Sequence, residues 1–145
     1  MKFLLDASAL LPLVTRSGKQ LIVEAARDDL ATTDLAIYEA CNGLWKLATL
    51  LKTITLEDAS DIAAILTELT AQNLIHTISF TNIDLPQTLV LAQKNQLTFY
   101  DASYITAAQT TKATLATEDQ KLRKAANKTV KAISFTQLQT ELAQT

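Results

Sequence analysis

The residues of this chain best placed to do chemistry are acids. It has one histidine, His76, and one cysteine, Cys41. A Cys/His zinc site, an intramolecular disulfide and a two-histidine acid–base mechanism are therefore excluded within a single chain. Only two glycines occur, Gly18 and Gly43, so there is no glycine-rich phosphate loop. Reaction chemistry must rest on carboxylates, hydroxyls, amines or a metal held by oxygen. Four acids stand out by position. Asp6 follows the apolar run Phe3-Leu4-Leu5, and Asp119 follows Thr114-Leu115-Ala116-Thr117-Glu118. Asp101 opens a helical pattern after Leu97-Thr98-Phe99-Tyr100. Glu39 lies in the first turns of an apolar helix, on one stripe with Leu35, Asn42 and Lys46.

Three of the four also have ordinary explanations. Asp101 suits a helix N-cap, and Asp119 suits a first helical turn, where the dipole favours negative charge. Glu39 could pair with Lys46 or face solvent. Asp6 is hardest to explain away, because a charge closing a buried strand has no routine structural task. If the four converge, their repulsion raises their pKa values unless a cation neutralises them. Oxygen ligands suit Mg²⁺ or Mn²⁺, and such an ion can lower the pKa of a bound water for attack on a phosphodiester.

The elements that must position these acids alternate between strand and helix. Strands are expected at 2–6, 30–33, 74–80, 113–117 and 129–134. Helices are expected from Ser8, stopping near Pro12, and at 19–28, with a break at Ser17-Gly18. A long helix from Leu35 to about Leu51 would be capped by Asp34. Thr55 and Asp58 form a capping box for a helix reaching about Leu69. Asp84 and Pro86 open the next, to about Lys94. Further helices are expected at 101–109, 119–128 and 135–143. This alternation predicts an α/β fold with a mostly parallel central sheet of four to five strands flanked by helices on both faces. The 145 residues, 48% hydrophobic and 19% charged, suit one domain over 1–145 with a substantial core.

Four segments resemble the PIN-domain family, and especially its VapC-type toxins. Phe3-Leu4-Leu5-Asp6-Ala7-Ser8-Ala9 resembles the opening strand with its first acid and following serine. Asp34 to Trp45, containing Glu39, resembles the segment of the second acid. Thr98-Phe99-Tyr100-Asp101-Ala102-Ser103-Tyr104 resembles the third motif, and Leu115-Ala116-Thr117-Glu118-Asp119-Gln120-Lys121-Leu122 the fourth. The resemblance implies a divalent-metal site of Asp6, Glu39, Asp101 and Asp119. It also implies hydrolysis of single-stranded or looped RNA by a metal-activated water. Ser8 and Thr117 match positions where the family places hydroxyls that steady the acids or their waters. Homodimers are implied as well, and for toxin members a bound antitoxin protein.

Formal net charge is −2, so RNA contact needs a local basic patch. Lys112, Lys121, Arg123, Lys124, Lys128 and Lys131 supply six of the 13 basic residues. Lys46, Lys121, Arg123 and Lys124 are the candidate phosphate contacts; a merely solvated helix face is the alternative. Tyr38, Trp45 and Tyr104 are read as core or dimer-interface residues ahead of base-stacking platforms. His76 and Cys41 are read as structural. A haloacid dehalogenase-type phosphatase would want a second aspartate where Ser8 stands, and a receiver domain would want an acid pair after its first strand. The rival readings are a catalytically idle RNA- or protein-binding module and an RNA-processing nuclease without an antitoxin. Asp6 and Pro12 interrupt the apolar N-terminus, so a signal peptide is not expected. The chain reads as soluble and cytoplasmic, with no membrane contact.

Overall fold

A computed structural model of the protein describes residues 2–16 and 29–143. The helical pattern over 19–28 and the Ser17-Gly18 break lie outside the described residues. The strands are β1 (Phe3–Leu5), β2 (Leu30–Thr33), β3 (His76–Ile78), β4 (Thr114–Ala116) and β5 (Ala132–Ile133). Every pairing is parallel, and the sheet runs β3-β2-β1-β4-β5. β1 sits at the centre and is buried throughout, as a parallel strand covered on both faces must be.

Seven helices are present among the described residues. α1 (Ala7–Arg16) follows β1. α2 (Asp34–Trp45) and α3 (Leu56–Ala71) lead from β2 to β3. α4 (Leu85–Asn95) and α5 (Phe99–Thr111) carry the chain back to β4, α6 (Gln120–Ala126) joins β4 to β5, and α7 (Phe135–Ala143) follows β5. The chain thus steps outward from β1 to β3 and then reverses past β1. With right-handed crossovers, that reversal sends the two groups of helices to opposite faces. Accordingly α1 packs on α2 and α3, whereas α4 packs on α5, which lies on β1 and β4. Leu4, Leu10, Leu13, Leu30, Ile105 and Leu115 form the fully buried centre. Among them α5 is the most enclosed helix, with Ala102 to Ala108 all buried.

Several local expectations hold. Thr55 and Asp58 make the reciprocal capping box, and Asp84 caps α4 by accepting from Gln87 N at 3.0 Å. Others need correction. α1 does not stop at Pro12 but runs to Arg16. Pro12 forfeits one bond, to the Ser8 carbonyl, and burial of Leu10, Leu13 and Val14 offsets that cost. The cap of α2 is Thr33, whose Oγ1 accepts from Ala36 N at 3.1 Å. Asp34 instead accepts from Phe80 N at 2.9 Å. Phe80 opens a single 3₁₀ turn, Phe80–Asn82, capped by Ser79, so the strand, His76–Ile78, is shorter than its β-branched run predicts. Beyond Trp45, α2 widens into a π-turn over Lys46–Leu50 rather than continuing as an α-helix to Leu51.

Candidate active site

Order reverses in this sheet between β1 and β4, and in open α/β sheets such a point opens a crevice beyond the carboxyl ends of the strands. Asp6 leaves β1 there and Thr117 leaves β4. Asp6 is 4% exposed, and its backbone N donates to Ala116 O at 3.2 Å, tying the two strand ends together. Its carboxylate is cradled. Ser8 Oγ donates to Oδ1 at 2.6 Å, Ala9 N donates to the same oxygen at 3.1 Å, and Thr117 Oγ1 donates to Oδ2. Each hydroxyl also accepts an amide from the loop after β4: Ser8 from Glu118 N at 2.9 Å, Thr117 from Asp119 N at 3.1 Å. Burial nevertheless wins over these bonds and pushes the Asp6 carboxyl up to about 6.

Asp101 and Asp119 stand at helix starts, and Glu39 lies in the second turn of α2. Asp101 is the third residue of α5. It is not the cap; Thr98 is, its Oγ1 accepting from Asp101 N at 3.1 Å. The half-buried Asp101 carboxyl is raised by desolvation, then by the negative charges of Asp119 and Glu39, while Lys121 pulls it down. Asp119 caps α6, accepting from Leu122 N at 3.0 Å, so its capping and its place at the site coincide. Glu39 takes no ion pair with Lys46, whereas Lys131 and Glu141 do pair, at 3.1 Å. The partner of Glu39 is Tyr104, whose hydroxyl donates to Glu39 Oε1 at 2.6 Å.

The predicted acids are connected pairwise. Asp101 feels the charges of Asp119 and Glu39, Thr117 bonds both the Asp6 carboxylate and the Asp119 backbone amide, and Tyr104 bonds Glu39. Among the described residues no three acids stand close enough to share one ion directly. An oxygen-only, mutually repelling set of this kind suits a hard divalent cation such as Mg²⁺, which keeps several waters and takes one or two carboxylates directly. Ser8 and Thr117, named from resemblance, both contact Asp6. Tyr104 was read as core, which it is, but its tie to Glu39 was missed. Its position one helical turn beyond Asp101 was the available signal.

The basic run is partly spent on the protein itself. Arg123 Nη1 donates to Thr117 O at 2.8 Å, holding the end of β4. Lys121 Nζ donates to Gln96 O at 2.7 Å, close enough to Asp101 to stabilise its charge. Lys46 and Lys124 are exposed. On the Ser8 side a cavity of about 650 Å³ is rimmed by Asp58, Asp61 and Glu118 with a single Arg16. That acidic rim repels phosphate. Tyr38 and Trp45, read as core or interface, are 78% and 50% exposed. His76 lies in β3, and no described helix is long and apolar enough to cross a membrane.

Known proteins share this arrangement. A family model for the PIN domain matches residues 3–128. Exonuclease VapC9 of Pyrobaculum aerophilum is 33% identical over 125 residues, covering 84% of each chain. Ribonuclease VapC3 of the same organism is 34% identical over 126 residues, covering 84% of this chain and 92% of its own. The crystal structure of PAE2754 from Pyrobaculum aerophilum superposes with a TM-score of 0.81 at 31% identity, over 100% of this chain and 91% of that one. VapBC-1 from nontypeable Haemophilus influenzae, at 15% identity and a TM-score of 0.56 over 94% of this chain and 99% of that one, shares the fold. The model match spans β1 to the end of α6 and so takes in all four acids: this chain belongs to the PIN-domain family.

Proposed function

We propose that this chain is a divalent-metal-dependent endoribonuclease, the toxin of a toxin–antitoxin pair, using Mg²⁺ or Mn²⁺. PIN nucleases generally depend on divalent metal. The observation that carries the reading is Asp6: a carboxylate buried at the sheet's reversal point and held by Ser8 and Thr117, with Thr117 also holding the Asp119 amide. Asp6, Glu39, Asp101 and Asp119 would hold the ion, directly or through its waters. When bound, it would supply a water acidic enough to act as nucleophile and charge to stabilise the phosphorane. The chain's own task is to fix the acids, which Ser8, Thr117, Thr98 and Tyr104 do by hydrogen bonds.

RNA would approach over α6, where Lys121 and Lys124 can meet phosphates and Lys46 can flank the path, and away from the acidic cavity beside Ser8. Arg123 would serve indirectly, by holding Thr117. The exposed apolar side chains Tyr38, Trp45, Leu50 and Leu51 on α2 and its π-turn offer surface for a homodimer or an antitoxin in the cytoplasm. The test is cleavage of unstructured RNA with Mg²⁺ or Mn²⁺ by wild type, Asp6→Asn and Asp101→Asn. Metal-dependent cutting by wild type alone supports the reading. Equal cutting by all three would mark a contaminant and remove it.

A further inference from the structure

Tyr104 is a phenol buried at 2% exposure on α5. It donates to Glu39 Oε1 at 2.6 Å, across 65 positions of sequence, and lies close enough to Asp6 to feel its charge. One hydroxyl on α5 therefore holds the acid on α2 while sitting within reach of the Asp6 charge. Glu39 is exposed and its side chain has three free torsions. Left alone, such a chain samples many rotamers, and ordering it costs conformational entropy. A rigid, buried donor fixed by packing removes most of that search in advance.

We propose that Tyr104 is a positioning residue for the nuclease site: its hydroxyl fixes the Glu39 carboxylate relative to Asp6, so that the two acids are set before the metal arrives. This role rests on the metal-nuclease reading above. It explains why a tyrosine stands where a phenylalanine would pack equally well in the buried face of α5. It also explains how a surface glutamate on one helix can act with an aspartate held by the sheet.

The test is Tyr104→Phe, which keeps the ring and removes only the hydroxyl. The variant should melt within about 5 °C of wild type. Its Mn²⁺ affinity, read by calorimetry, should fall about tenfold or more, as losses of groups that orient metal ligands do. Its kcat on RNA should fall similarly with KM unchanged. In a Glu39→Gln background the same substitution should have no further effect on either quantity. A folded Tyr104→Phe with wild-type Mn²⁺ affinity and kcat overturns the role while leaving the nuclease reading in place. A wild-type protein that takes up no Mn²⁺ overturns both. If Tyr104→Phe does not fold, Glu39→Asp decides, because it retains the carboxylate but withdraws it from the hydroxyl. Weakened Mn²⁺ binding there supports the role, and unchanged binding and cleavage overturn it.

Discussion

Asp6 and Asp101, two acids of the proposed site, are held in different ways. Asp6 is buried at the end of a central strand, receives bonds from Ser8, Ala9 and Thr117, and owes its raised pKa to desolvation. Asp101 begins a helix, is half-buried, and owes part of its shift to the charges of Asp119 and Glu39. The first acid is fixed by the fold itself, and the second is tuned by its neighbours. Geometry at Asp6 should therefore be nearly independent of ligand, whereas the electrostatics at Asp101 should respond strongly to a cation.

The largest expected effect is on cleavage, and it should not separate the two. Asp6→Asn and Asp101→Asn should each lower kcat/KM by more than about 100-fold, the upper end of what losing a mere supporting group costs a metal site. Single-turnover cleavage of RNA measures this. A difference between the two in apo stability is the sharper test. The Asp6 carboxyl moves from 3.8 to about 6 on folding. Between those values the unfolded chain has released the proton and the folded one retains it. Stability from Asp6 is therefore present below about pH 4, falls as pH rises, and has dropped by about 3 kcal/mol above pH 6. Asp6→Asn should abolish this dependence and melt above metal-free wild type at pH 7.5, while matching it near pH 4. Asp101→Asn should gain less, since its carboxyl is only half-buried. Equal pH profiles for wild type and Asp6→Asn would break the contrast.

Thr117→Val probes the cradle alone. It leaves the Asp6 carboxylate and the Asp119 amide each short of a buried partner, and should cost about 1–3 kcal/mol in denaturant melts at neutral pH. The smallest effects concern the basic helix. Lys124→Ala should reduce the salt dependence of RNA binding by about one unit of slope. Arg123→Ala should instead lower stability through the lost tie to the Thr117 carbonyl, with a smaller change in salt slope.

The same contrast explains what was legible in the sequence. Asp6 and Asp119 could be read because a short apolar run followed by an acid marks both a strand and its end. The alternation of periods gave the α/β class, but strand order depends on long-range pairing and was not readable. Caps were readable to within a residue or three. Thr33 and Asp34 are both acceptable caps by type, and the distant Phe80 amide that Asp34 binds instead is not visible in the sequence. Asp101 was mistaken for a possible cap because Thr98, three residues earlier, fills that role. Glu39 lacked a visible partner because Tyr104 lies 65 positions away and reads as core. Arg123 looked like a phosphate contact because charge runs do not reveal which members bond inward.

The central claim is that these acids form one divalent-metal site. Calorimetric titration of Mn²⁺ into metal-free wild type, Asp6→Asn and Asp101→Asn at pH 7.5 tests it most directly. The account predicts saturable binding by wild type, lost or weakened by at least about tenfold in each variant, with a matching loss of the metal-induced rise in Tm. Equal Mn²⁺ binding by all three proteins, or none by a folded wild type, would contradict it.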